Sequence, residues 1–252
     1  MEDLNRRQFI KLSIIGASGV LLGSFFAFAD SDKKIEVKKF DDLLNYDWGY
    51  LIDTSKCIGC GSCVRGCKNE NKVPDGFFRT WVERYEFSSD GKVSVDSPNG
   101  SLESFKQDNI PSEEIVKAFF VPKICNHCYD APCVQVCPVG ASYITPDKVV
   151  LIDKEHCVGC GYCIQACPYG CRYLDEHKGV ADKCTYCYHR IHKGLAPACV
   201  NSCPRNAREY GNLKDPNSKI RKMLNQYRYG LLKTDLGTNP KCYYIELDRE
   251  IK

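Results

Sequence analysis

After residue 29 the sequence has no apolar run long enough to cross a bilayer, so that part of the chain is expected to be soluble or peripheral. No Gly-rich loop follows a strand-like segment, which removes the usual nucleotide-binding turn. No nucleophile stands with a base in an arrangement suited to covalent catalysis. Histidine is scarce, at five in 252 residues. Net charge is small, formally +3. These absences leave a chain with no visible substrate site of its own.

Cysteine is the opposite case. There are eighteen, and sixteen fall into four groups of four: Cys57, Cys60, Cys63, Cys67; Cys125, Cys128, Cys133, Cys137; Cys157, Cys160, Cys163, Cys167; and Cys184, Cys187, Cys199, Cys203. Every group opens C-x2-C and closes C-x3-C, and Pro138, Pro168 and Pro204 follow three of them. This is the ligand spacing of bacterial ferredoxins, in which three thiolates hold one cubane and the fourth serves its neighbour. Four complete groups predict four [4Fe–4S] clusters and a chain that conducts electrons.

Competing readings account for less. Structural zinc uses two C-x2-C pairs or mixes Cys with His, which would leave eight spaced thiols without a role. Disulfides fit poorly with thiols two residues apart repeated four times. A Rieske centre replaces two Cys with His, and no Cys is missing. The positive balance is no argument for nucleic acid, because sixteen thiolates and four 2+ cores would bring the loaded mature chain to about −6. The basic residues are counter-charge.

The N-terminus reads as an export signal. Arg6-Arg7-Gln8-Phe9-Ile10-Lys11 is a twin-arginine motif. An apolar stretch from Leu12 to about Phe26 follows, with Gly16, Gly19 and Gly23, then Ala27-Phe28-Ala29 as a cleavage site. A retained anchor is the alternative, and the glycines and the A-x-A site favour removal. Free thiols outside the cytoplasm tend to pair. A route that exports folded, loaded proteins suits this chain, and the expected location is the periplasm or the outer face of the cytoplasmic membrane.

The layout predicts an α+β fold of two nested dicluster ferredoxin units. Tyr50-Leu51-Ile52-Asp53 leads into Cys57 and Val149 to Asp153 leads into Cys157, each as a strand, a turn, a cluster loop and a short helix carrying the fourth cysteine. Only nineteen residues separate Cys137 from Cys157, so the second and third groups form an inner unit, about 120–178. The first and fourth pair around it, about 45–86 with 179–215. Residues 87–119 read as an insertion with a hairpin, Val93 and Val95 alternating before Asp96-Ser97-Pro98-Asn99-Gly100. In the 216–252 extension, Pro216 to Leu232 reads as a helix with Ile220, Leu224, Tyr227 and Leu231 on one face, and Tyr243 to Leu247 as a strand.

Residues around the groups are read plainly. Cys171 and Cys242 are small buried residues, or alternatively a disulfide. His127 and His156 are donors beside the ligands or surface charge. His189 and His192, in Tyr188-His189-Arg190-Ile191-His192-Lys193, belong to a solvated basic face. Tyr129, Tyr162, Tyr169, Tyr186 and Tyr188 shield the loops from water.

From Trp48 to Leu247 the chain resembles the iron–sulfur subunits that accompany molybdopterin oxidoreductases of the dimethyl-sulfoxide-reductase family. It is similar to those of tetrathionate, thiosulfate and polysulfide reductases and of formate-dependent nitrite reduction. The likeness lies in Cys57-Ile58-Gly59-Cys60-Gly61-Ser62-Cys63, Cys125-Asn126-His127-Cys128 with Ala131-Pro132-Cys133, Cys157-Val158-Gly159-Cys160, Ala181-Asp182-Lys183-Cys184 and Asp215-Pro216-Asn217-Ser218. It implies crossed ligand sets: Cys57, Cys60, Cys63 with Cys203; Cys184, Cys187, Cys199 with Cys67; Cys125, Cys128, Cys133 with Cys167; and Cys157, Cys160, Cys163 with Cys137. Nitrate-reductase relatives carry Trp where this chain has Cys160. The resemblance also implies a molybdopterin catalytic subunit as one partner, a multi-span quinone-reactive membrane subunit as the other, and no catalysis by this chain. A carrier feeding a multihaem cytochrome nitrite reductase or a hydrogenase is the alternative.

Overall fold

The computed structural model describes residues 40–105 and 110–251. The twin-arginine motif and its apolar stretch lie outside the described residues.

One four-stranded sheet joins distant parts of the chain, in the order β10 (Tyr229–Gly230), β11 (Cys242–Ile245), β1 (Trp48–Asp53), β9 (Arg208–Asn212). β1 runs parallel to β11 and antiparallel to β9, with Tyr50 beside both Cys242 and Tyr210. All six residues of β1 are buried, as an aromatic and β-branched strand covered on both faces should be. The expected strand before Cys57 is therefore present and sits at the centre of the sheet. The closing strand is present too, a residue or two earlier than expected.

The helix Lys219–Gln226 covers this sheet, burying Ile220 and Leu224 against Leu51 and Ile245. Ser218 caps it, its Oγ accepting the Arg221 N–H at 3.3 Å. The sequence predicts a helix running to Leu232. It stops at Gln226 because Tyr229 and Gly230 pair with β11, and Tyr227 is 46% exposed. Sheet pairing overrides the apolar spacing.

A second sheet has the order β3 (Val93–Asp96), β2 (Thr80–Ser88), β4 (Ile115–Ile124). β2 alternates buried and half-buried residues before its buried end. The hairpin turn is at Ser88–Lys92, closed by the Ser88 N–H on the Lys92 carbonyl at 2.9 Å with Gly91 at φ +85°. The expected turn, Asp96 to Gly100, instead ends β3 and enters a 3-10 turn at Pro98–Ser101. The Arg84 guanidinium gripping Asp96 at 2.8 and 2.9 Å fixes that register.

Two short hairpins link the cysteine groups. β5 (Ser142–Ile144) pairs with β6 (Val150–Ile152), and β7 (Arg172–Asp175) with β8 (Val180–Lys183). Each begins just past one Cys-Pro turn and ends just before the next C-x2-C. The one-turn helices Pro132–Gln135, Tyr162–Gln165 and Ala198–Asn201 carry Cys133, Cys163 and Cys199, and the fourth cysteine lies just beyond each. Only the longer helix Ser62–Asn71 carries its fourth cysteine, Cys67. The expectation of a fourth cysteine on the helix fails for the third group because Pro168 follows Cys167 and prevents continuation.

Candidate metal centres

Three cavities are each ringed by four thiols. One is lined by Cys57, Cys60, Cys63 and Cys203. Another is lined by Cys137, Cys157, Cys160 and Cys163. The third is lined by Cys125, Cys128, Cys133 and Cys167. The three are alike in size and in their ring of thiols, which suits one kind of occupant. In each, three thiols come from one group and the fourth from another. A larger hollow near the C-terminus, bordered by Arg228, Glu246 and Arg249, is lined by no cysteine.

The remaining four thiols, Cys67, Cys184, Cys187 and Cys199, are all buried. The Asn71 side-chain amide donates to Cys67 at 3.6 Å and to Cys187 at 3.5 Å. Burial drives the Cys67 thiol well above its ordinary pKa, and the thiols of Cys199 and Cys187 raise it further. Cys67 and Cys199 are in turn among the thiols that raise Cys184 beyond the effect of its burial, so the four share one electrostatic neighbourhood.

Local backbone prepares the sulfurs for negative charge. N–H groups reach Cys137 from Ser142 at 3.4 Å, Cys184 from Tyr186 at 3.3 Å, and Cys203 from Ala207 at 3.3 Å. Burial would raise the Cys137 thiol, yet the N–H groups of Ser142, Val139 and Ala141 bring it below its usual value. At Cys57 and Cys128 burial dominates, pushing them to about 11 and about 12. Buried thiols crowded in this way need a cation to become thiolates.

The donor set fits iron–sulfur clusters. Among the described residues, no group of three or more His, Cys, Asp or Glu side chains is placed to hold a single metal ion. Four thiols around a void suit a polynuclear core.

Glycine is required at one loop. Gly61 has φ +66°, and a Cβ there would stand 1.9 Å from the Ser101 carbonyl oxygen. Ser101 in turn donates to the Gly59 carbonyl at 2.6 Å. The inserted segment thus clamps the loop between Cys57 and Cys63.

Cys171 and Cys242 are both buried free thiols, in agreement with the plainer of their two readings. His127 is wholly buried, stacks on Tyr186 with ring centres 3.7 Å apart, and accepts the Val150 N–H at Nδ1, 3.0 Å away. It is an acceptor and not surface charge. His156 is exposed beside Asp153 at 2.8 Å. The basic run is tied down: Glu70 meets His189 at 2.7 Å and Arg190 at 2.8 Å, while Asp147 meets His192 at 3.0 Å. Tyr186 and Tyr50 are fully buried, Tyr169 and Tyr188 half-buried, and Tyr129 and Tyr162 exposed, so only part of the aromatic set screens the loops. Sequence reasoning missed Asp147, whose carboxylate also takes the Trp48 indole N–H at 2.9 Å and the Tyr188 hydroxyl at 3.1 Å. Nothing in its Pro-Asp-Lys turn signals burial.

Models of two 4Fe–4S dicluster domains match residues 56–141 and 116–213. The chain is 38% identical over 249 residues to a tetrathionate reductase subunit of Salmonella typhimurium, covering 98% of this chain and 90% of that protein. It is 39% identical over 216 residues to a putative dimethyl sulfoxide reductase iron–sulfur subunit of Halobacterium salinarum, covering 79% of each. With an Hdr-like menaquinol oxidoreductase iron–sulfur subunit of Archaeoglobus fulgidus it shares 31% identity, covering 98% of this chain and all of that one. The chain belongs to this family of 4Fe–4S dicluster iron–sulfur subunits.

Proposed function

We propose that this chain carries four [4Fe–4S] clusters and relays electrons between a quinone-reactive membrane subunit and a molybdopterin catalytic subunit, outside the cytoplasmic membrane. The four ligand sets are Cys57, Cys60, Cys63, Cys203; Cys67, Cys184, Cys187, Cys199; Cys125, Cys128, Cys133, Cys167; and Cys137, Cys157, Cys160, Cys163. Each cluster, when bound, supplies a one-electron couple. The chain itself does no further chemistry.

The observation that carries this reading is the exposure of the thiols. Cys60 in the first set and Cys160 in the last are exposed, and every thiol of the second set is buried. Only Cys167 of the third set is less than fully buried. Burial of the Cys184 thiol raises its pKa, and Cys125 is the strongest of the neighbouring thiols acting on it. The second and third sets are therefore adjacent. A linear relay follows, with a contact point at each end and two shielded sites between. The parts of the chain suit their tasks: thiolates hold, backbone N–H groups spread the charge, and Tyr50 and Tyr186 exclude water.

Both ends offer apolar contact. Val158 is 63% and Tyr162 58% exposed beside Cys160, and Ile58 is 54% exposed beside Cys60. Such side chains suit docking onto partner subunits. The names of the tetrathionate, dimethyl sulfoxide and menaquinol relatives support a reductase complex exchanging electrons with quinol. The twin-arginine motif supports export. Pairing of β1 with β9 supports the nested arrangement, because it brings the flanks of the first and fourth groups together around the second and third.

The test is metal content together with partnership. Anaerobically purified protein should carry about sixteen iron and sixteen labile sulfide per chain. A tagged chain should bring a molybdopterin subunit and a membrane subunit with it. About eight iron per chain, or stoichiometric zinc, would refute the cluster reading. Isolation with a multihaem cytochrome in place of a molybdenum protein would refute the partner.

A further inference from the structure

Two arginines occupy the same position after their cysteine groups. Cys167-Pro168-Tyr169-Gly170-Cys171-Arg172 and Cys203-Pro204-Arg205-Asn206-Ala207-Arg208 both turn through a left-handed residue, Gly170 at φ +63° and Asn206 at φ +50°, and enter a strand at the arginine. The second group makes the same turn through Gly140 at φ +67° but enters its strand at Ser142.

Both arginines point inward. Arg172 is 5% and Arg208 3% exposed. Arg172 lines two thiol cavities at once, that of Cys125, Cys128, Cys133, Cys167 and that of Cys137, Cys157, Cys160, Cys163. Arg208 lines the cavity of Cys57, Cys60, Cys63 and Cys203. It also reaches the neighbouring set, donating at 3.4 Å to the Tyr50 hydroxyl that lies 3.1 Å from the Cys199 sulfur.

Neither charge is neutralised by a carboxylate, although other buried cations are. Arg79 meets Asp182 at 2.9 Å and Lys241 meets Asp47 at 3.2 Å. Arg172 and Arg208 have no ion pair among the described residues. Arg172 gives one N–H to Ser142 Oγ at 2.8 Å, and its Nε and Nη1 find no acceptor at hydrogen-bonding geometry. The Nη2 of Arg208 likewise finds none. A buried guanidinium with free N–H groups is costly unless an anion faces it. Thiols stand where that anion is needed: burial disfavours the Arg172 cation, but Cys133, Cys125 and Cys163 outweigh it. For Arg208, burial is opposed chiefly by Cys63, Tyr50 and Cys199.

We infer that Arg172 and Arg208 are positioning residues that act as shared counter-cations, one for each adjacent pair of clusters, and set the reduction potentials of that pair together. This rests on the four-cluster reading above. Reduction adds one electron to a cluster and breaks no bond, so a fixed cation nearby favours the reduced state and raises the potential. One cation between two clusters shifts both potentials in the same direction and so opens no step between them. The four-cluster relay would then consist of two matched pairs, with its potential step falling between the pairs.

Redox titration of the anaerobic full-length protein, followed by electron paramagnetic resonance, tests this. Arg172→Met should shift two cluster signals to lower potential by a tenfold or larger change in oxidised-to-reduced ratio, about 59 mV for one electron. Arg208→Met should shift the other two. Arg172→Lys and Arg208→Lys should return each pair towards wild type. Neutral variants with full iron content and unchanged potentials, or with all four signals moved equally, would overturn the inference. If the Met variants lose iron, the Lys variants decide: full iron content supports a charge role, and iron loss with Lys as well assigns only a structural fork and overturns it. A wild-type protein with half the expected iron would instead overturn the four-cluster reading, and the pairing with it.

Discussion

The hydroxyl of Tyr50 lies 3.1 Å from the sulfur of Cys199, across 149 positions of sequence. Tyr50 is on the strand that leads into the first cysteine group, and Cys199 is the third thiol of the fourth. The contact joins two groups that the sequence separates most widely. Burial pushes the Tyr50 hydroxyl well above its usual pKa, so it stays protonated and able to donate once Cys199 is a cluster-bound thiolate.

Tyr50→Phe removes that donor, and with it the acceptor of one Arg208 N–H. The ring still stacks on Tyr186, with centres 5.7 Å apart, so packing is kept. A neutral hydrogen bond contributes about 1 kcal/mol, and one to a charged group about 1.5–3. The variant should keep its iron, and the signal of the cluster held by Cys199 should move to lower potential. A redox titration that leaves every signal in place would show that the hydroxyl does not act on that sulfur.

Gly61→Ala and Gly140→Ala form a controlled pair. Both positions are left-handed, at φ +66° and φ +67°, which costs alanine about 1–2 kcal/mol. At Gly140 a Cβ meets nothing within 4 Å, and at Gly61 it meets the Ser101 backbone oxygen at 1.9 Å. Gly140→Ala should therefore lower the melting temperature a little with full iron. Gly61→Ala should lose iron from the first site or unfold the clamp formed by Ser101. Equal effects of the two on iron content would refute the clamp.

Local patterns are legible in the sequence and long-range ones are not. The cysteine spacing and the strand Tyr50 to Asp53 can be read because each is written in a few adjacent residues. The hairpin turn is misplaced because both segments carry a strong turn dipeptide, Asp90-Gly91 and Asn99-Gly100, and local chemistry does not choose between them. The pairing of Arg84 with Asp96 keeps Asp96 in the sheet. The C-terminal helix reads too long because Tyr227 and Leu231 continue its spacing, while β10 claims Tyr229 for a strand. Arg172, Arg208 and Asp147 look like surface residues in sequence. Only their shared place, five residues after the cysteine of a Cys-Pro turn, hints at the arginines.

Export has its own test. Replacing Arg6 and Arg7 by Lys should leave the protein in the cytoplasm with its clusters intact, as judged by fractionation and iron content. Unchanged appearance outside the membrane would point to another route, or to transport with a partner that bears the signal.

Crossed ligation is the last test, and the relay depends on it. The cavity of Cys57, Cys60 and Cys63 includes Cys203, 140 positions beyond Cys63. Cys67, in the first group's helix, lies instead with Cys187 and Cys199. Damage should then appear far away in sequence. Cys203→Ser and Cys57→Ser should perturb one and the same signal in redox-titrated paramagnetic resonance, and Cys67→Ser a different one, shared with Cys184→Ser. Serine keeps the shape but is a harder ligand, so the affected cluster should fall in potential or release an iron. Loss of a cluster also removes folding energy, which makes iron content a necessary second readout. Separate signals for Cys203→Ser and Cys57→Ser would break the assignment, because each group would then hold its own cluster and the Cys60 and Cys160 ends would no longer be joined through shared helices.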